Sequence, residues 1–253
     1  VCLIAFATDV GENVLVLAAN RDEYYTRPTT SASGWRDAPQ VWGGRDLEAG
    51  GTWLAFSRAG RLAAVTNVRG SSLRPGVRSR GILCRDFVAG DDDASTYARR
   101  VVENRAEFAD FNLLLHDGRS MQYVRGSAKD PVAVAPGVHG LSNAALDVPW
   151  PKVARATAAL RVALEGPSDT LVGALFAMLA DRRGASDEEL PHTGVSLEVE
   201  RALAPIFLSS DAYGTRASTV VVWRRDAQAF LEERSFGTNG APMGVVRERI
   251  ALL

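Results

Sequence analysis

The stretch CLIAFATDVGENVLVLAANRDE, residues 2–23, decides how this chain folds. Runs of apolar and β-branched residues at 2–7 and 13–19 flank Asp9-Val10-Gly11-Glu12-Asn13, so they read as a β-hairpin turning at 9–13. The second strand then gives way abruptly to Asn20, Arg21, Asp22 and Glu23. An antiparallel return of this length lays the end of the second strand beside the start of the first, which brings residues 20–23 close to Cys2. A cysteine at the extreme end of a strand thus acquires charged neighbours.

Working outward, GTWLAFS at 51–57 and RLAAVTNV at 61–68 form a second strand pair across Arg58-Ala59-Gly60. FNLLLHD at 111–117 and MQYVRG at 121–126 form a third, around Gly118-Arg119. VHGLSN at 138–143 reads as a strand leading into a loop, and 218–226 with 227–235 as a last hairpin. Ser79 is placed to cap a helix through GILCRDFVAG, and Ser95 another through TYARRVVENRAEF. Lys152–Leu164 and Thr170–Leu179 carry apolar residues at helical spacing. Residues 185–194 form the loosest loop. Strands that pair as hairpins between groups of helices predict an α+β fold, with helices packed on two antiparallel sheets in one domain, 1–253.

The composition is that of a globular chain: 253 residues, 46% hydrophobic and 23% charged. A net charge of −1 gives no basic surface for nucleic acid. No run approaches the roughly 20 apolar residues that span a bilayer, so stable membrane insertion is not expected. The opening lacks a basic flank and reads as a strand rather than a signal peptide. Two cysteines, Cys2 and Cys84, make no disulfide framework and suit a reducing cytoplasm.

Most familiar chemistries find no motif. His116, His139 and His192 are widely spaced and lack paired-cysteine or His-x-x-x-His company, so no metal is expected. There is no Gly-x-Ser-x-Gly elbow, and neither Lys129 nor Lys152 follows a phosphate loop. No dinucleotide fingerprint follows a strand, and no cofactor is expected. Cys2 remains. An initiator residue before a small side chain is normally trimmed, which would leave Cys2 first, bearing both a thiol and an α-amine. Their unperturbed pKa values, about 8.5 and about 7.7–8.0, let the amine take the thiol proton near neutral pH. The alternative is a small hydrophobe at a strand end. Arg21 is suited to stabilising a thiolate, and Asp22 to holding the α-ammonium or the arginine. The alternative for 20–23 is a solvated turn with a local ion pair.

VCLIAF, AANRDEYYTRPT, GGTWLA, AAVTN, SRGIL, FNLLL, GLSNAALDVPWPK and YGTRASTVVV occur in the order seen in the NRDE family, which takes in the animal transport and Golgi organisation protein two. The resemblance runs from residue 2 to about 236. It implies an N-terminal nucleophile hydrolase-like fold, a four-layer αββα sandwich of two antiparallel sheets between helix layers. A more distant similarity to bile-salt hydrolases and penicillin V acylases implies an oxyanion donor at Asn143, in Leu141-Ser142-Asn143, and an arginine beside the thiolate at Arg216. Asn67 is a second candidate donor. Asn20 and Glu23 are candidate substrate contacts, and Trp53 and Trp150 are placed to line an apolar acyl pocket. The catalytic set is then Cys2, Arg21, Asp22, Asn143 and Arg216, acting on a small acyl amide. The alternative is a non-enzymatic carrier of acyl-CoA, lipid or haem on the same fold.

Overall fold

A computed structural model describes residues 2–69 and 78–253. In chain order the strands and helices begin with β1 (Cys2–Val10), β2 (Asn13–Tyr24), β3 (Thr29–Gly34), β4 (Val41–Asp46), β5 (Leu54–Ser57) and β6 (Arg61–Asn67). Helices α1 (Gly81–Ala89) and α2 (Ala94–Glu103) follow, then β7 (Phe111–His116), β8 (Met121–Arg125), β9 (Val132–Ala133) and β10 (Gly137–Leu141). The chain closes with α3 (Pro151–Glu165), α4 (Leu171–Leu179), α5 (Leu197–Leu203), β11 (Tyr213–Arg224), β12 (Gln228–Phe236) and β13 (Pro242–Ala251). The class is α+β, with one antiparallel sheet in the order β10-β1-β2-β11-β12-β13 and another in the order β3-β4-β5-β6-β7-β8-β9.

Two compact units divide the chain. Residues 1–26 and 136–249 carry the first sheet with α3, α4 and α5; residues 27–135 and 250–253 carry the second with α1 and α2. In the first unit, alternate residues of β1 and β2 (Leu3, Ala5, Ala7; Val16, Ala18) join Val220 and Val222 of β11 under α3 and α4. Gly140 seats α3 on β10, since a Cβ there would lie 2.6 Å from Val153 Cγ1. In the second unit, Ala55, Ala63, Leu113, Leu115 and Val124 form the corresponding floor under α1 and α2.

Several local expectations are corrected. The first turn is tighter than 9–13: Val10 pairs with Asn13, and Gly11 takes the left-handed φ of +57°. β2 does not end at Asn20 but runs through Tyr24, because β11 pairs with it from the other side as far as Tyr213. β11 likewise begins at Tyr213 rather than at 218. Asp93, not Ser95, caps α2, its carboxylate accepting from the Thr96 amide at 2.8 Å. Arg80, not Ser79, occupies the N-cap of α1, although Ser79 Oγ still accepts from the Gly81 amide at 3.3 Å. The strands β3, β4, β9 and β13 and the helix α5 have no counterpart in the expected set. Pairing is also less local than hairpins alone, since β1 pairs with β10 and β2 with β11.

Candidate active site

Register fixes the neighbourhood of Cys2. Cys2 stands opposite Arg21 and Leu3 opposite Asn20 across β1 and β2, a pairing with Cα atoms about 4.5–5.5 Å apart. On the far side of β2, Asp22 faces Thr215 and Arg21 faces Ala217, and the bulge between them leaves Arg216 unmatched in register. Side chains alternate across the sheet. Leu3 belongs to the core under the helices, so Cys2, Arg21 and Glu23 share the opposite face, while Asn20 and Asp22 lie on the helix face. Sequence neighbours Arg21 and Asp22 therefore address Cys2 differently: the first across the pleat, the second from beneath it.

Cys2 is half-buried. Arg21 is buried, with its Nη2 3.7 Å from Glu23 Oε2. Glu23 also accepts from the Tyr24 amide at 2.9 Å. Asp22 is buried; its Oδ1 accepts from Thr215 Oγ1 at 2.7 Å, while its Oδ2 has no hydrogen-bond donor among the described residues. Burial pushes the Asp22 carboxyl above its ordinary value, opposed by the charge at the chain's amino end, by Lys152, by the Thr215 hydrogen bond and by Arg21. Lys152 is a residue that sequence reasoning set aside. It lies in the first turn of α3 and is only 2% exposed. The positive end of a helix disfavours a cation, and burial disfavours it more, while the Lys152 charge acts favourably on the buried Asp22 carboxyl.

Asn20 is engaged by the scaffold. Its amide donates to the carbonyls of Leu179 at 2.9 Å and Ile206 at 2.8 Å, and its Oδ1 accepts from Ser218 Oγ at 2.6 Å. Asn143 is buried just past β10. Ser142 Oγ lies 2.8 Å from the Cys2 carbonyl oxygen and 3.2 Å from Asn143 Oδ1, so one hydroxyl touches both Cys2 and the asparagine. With Oδ1 facing that hydroxyl, Nδ2 is the donating end of the amide. Arg216 donates from Nη1 to the Tyr24 carbonyl at 3.2 Å, beside the end of β2.

The remaining candidates are more dispersed. Trp150 is the N-cap of α3 and packs against the core under the helices. Trp53 and Asn67 belong to the second unit, Trp53 just before β5 and Asn67 at the end of β6, paired with Phe111. Cys84 is buried in α1, and burial pushes its thiol up. Among the described residues no group of three or more His, Cys, Asp or Glu is placed to hold a metal ion. His139 stacks on Phe6 and meets Asp147 Oδ2 at 2.7 Å through Nδ1, whereas His116 Nδ1 accepts from the Gly118 amide.

Fold and cluster together define an α+β protein with a polar site at the paired ends of β1, β2 and β11. Known proteins place it further. A family model described as Transport and Golgi organisation 2 matches residues 1–238. The Transport and Golgi organization protein 2 homolog of Bos taurus is 34% identical over 259 residues, covering 92% of each chain. Its Homo sapiens counterpart is 32% identical over 255 residues with the same coverage, and the Drosophila melanogaster protein is 28% identical over 269 residues. The chain belongs to the Transport and Golgi organisation 2 family, the NRDE family of the sequence resemblance. No helix among the described residues is long and apolar enough to cross a membrane.

Proposed function

We propose that this chain is a cysteine hydrolase of the N-terminal nucleophile type, acting on a small acyl amide or related acyl substrate. One observation carries the reading: Cys2 pairs with buried Arg21 while Ser142 bridges its carbonyl to Asn143. Residue 1, whose removal the mechanism requires, lies outside the described residues. Once it is removed, the Cys2 α-amine takes the thiol proton and Sγ attacks the substrate carbonyl carbon. Asn143 Nδ2 donates to the oxyanion. Collapse breaks the C–N bond, the α-ammonium returns the proton to the leaving amine, and a thioester remains on Sγ. Water, activated by the same amine, then releases the acid. Arg21 stabilises the thiolate across the strand pair, and Asp22 holds the ammonium from beneath.

The second reading is carriage of an acyl-CoA, lipid or haem ligand in the cytoplasm, and it draws on the word transport in the names of the relatives. One experiment separates the two. The native protein is sequenced from its amino end and assayed on a panel of acyl amides and thioesters. The enzyme reading expects a chain that begins at Cys2, and turnover that falls about 100- to 1,000-fold in Asn143→Ala. A retained residue 1, or a parent protein silent on the whole panel, overturns it in favour of the carrier.

A further inference from the structure

On the helix face of the first sheet, away from Cys2, a groove of about 640 Å³ runs between the end of α4, β12 and β13. That volume suits a drug-sized molecule. Its cations are held in place. Arg234 lies 3.7 Å over the Phe176 ring and Arg182 lies 4.6 Å over the Phe207 ring. Glu232, only 3% exposed, accepts from Arg234 Nε at 2.9 Å and from Arg247 Nε at 2.7 Å. One carboxylate thus holds two guanidinium groups side by side through their Nε atoms. Gly240 makes room for the third: it has a φ of +72°, and a Cβ there would sit 2.8 Å from Arg182 Nη2 and from the Phe207 ring. Phe207 and Phe236 meet edge to face at 4.9 Å, and Met243 stands exposed at the rim.

The charge balance selects the ligand. Three guanidinium groups against one carboxylate leave an excess of two positive charges, and planar guanidinium forks, two of them stacked on aromatic faces, suit phosphate oxygens. A phosphate monoester carries about −1.5 to −2 near neutral pH, where a carboxylate or sulfate ester carries one charge. We propose that this groove is a binding site for an organic phosphate monoester, with the phosphate on Arg182, Arg234 and Arg247 and the apolar substituent against Phe207, Phe236 and Met243. The phosphate belongs to a soluble metabolite or to a lipid headgroup, and the experiment distinguishes them.

Calorimetric titration of the full chain with phenyl phosphate and phenyl sulfate is compared with co-sedimentation on phosphatidylcholine vesicles with and without phosphatidic acid. The expected result is that phenyl phosphate binds at least about tenfold more tightly than phenyl sulfate, and that Arg182→Gln and Arg247→Gln each weaken it about tenfold. Both side chains reach the surface, so thermal melting reports whether each variant folds as the parent does. Binding to the phosphatidic acid vesicles alone, lost in the same variants, assigns the headgroup as the source. Equal affinity for the two phenyl esters, binding that survives both substitutions, or binding to neither phosphate probe overturns the proposal.

Discussion

Asn20→Ala is expected to destabilise the first unit rather than to impair a substrate contact. The side chain is 1% exposed and ties β2 to the carbonyls of Leu179 and Ile206 and to the hydroxyl of Ser218. Truncation leaves two buried carbonyls without these donors, at about 1–3 kcal/mol each, while Ser218 Oγ is free to turn elsewhere. Water entering the space offsets part of this, so a net loss of about 3 kcal/mol is expected, which for a chain of this size lowers Tm by roughly 6–12 °C. Asn20→Asp should be worse than alanine, because it removes both N–H donors and sets a carboxylate against two carbonyl oxygens. Urea unfolding followed by far-UV circular dichroism and tryptophan fluorescence gives the numbers, with agreement between the probes testing two-state behaviour. A loss for Asn20→Ala below about 1 kcal/mol, or an aspartate variant as stable as the alanine one, refutes the assignment.

Two further expectations use other parts of the molecule. Cys2 is half-buried whereas Cys84 is buried with its thiol pushed up, so iodoacetamide should modify Cys2 in the folded protein and Cys84 only on unfolding; peptide mass mapping that finds equal rates would contradict the site. Burial alone would raise the Glu232 carboxyl, but Arg247 and Arg234 outweigh it and hold it below the usual glutamate value. Its stabilisation is therefore present above the unfolded value and lost as pH falls through the folded one. Glu232→Gln should cost about 1–2 kcal/mol at neutral pH, discounted for partly exposed arginines, and the deficit should vanish in acid. A deficit in chemical denaturation that does not change with pH would show that the charge is not the cause.

How much of this was legible in the sequence depended on where each residue's partners lie. The β1–β2 hairpin, β7–β8 and the helices α3 and α4 follow from local apolar patterns, and all are present. β2 was expected to end at its polar residues because its continuation depends on β11, where Thr215 reaches Asp22 from 193 residues away. β4 hides behind Gly43 and Gly44, residues that read as loop; a Cβ at Gly43 would lie 2.6 Å from the Leu54 carbonyl oxygen, so close strand packing demands the glycine. β13 is an edge strand with Met243 and Val245 exposed, so its hydrophobicity marks no buried face. Among the site residues, Cys2 and Arg21 could be paired from the hairpin alone. Lys152 could not, because a lysine in an amphipathic helix reads as surface until the docking of α3 is known.

That burial bears on how the four polar residues of β2 divide their work. Alternation makes Asn20-Arg21-Asp22-Glu23 two interleaved pairs rather than one cluster. Arg21 and Glu23 share the face of Cys2 and form an ion pair there. Asn20 and Asp22 point under the sheet, the first held by two backbone carbonyls and the Ser218 hydroxyl, the second a carboxyl that burial pushes up against the opposing pull of the chain's amino end and Lys152. Exchanging residues 20 and 21 would carry an arginine into the apolar layer beneath α4 and strip Cys2 of its opposite cation. Exchanging 21 and 22 would place a carboxylate across from the sulfur, where it disfavours a thiolate, and leave two cations together beside the buried start of α3. The order of the four residues therefore follows from the pleat: polar groups of opposite task must alternate when one face of a strand is covered by a helical core and the other is shared with the half-buried Cys2 of the neighbouring strand.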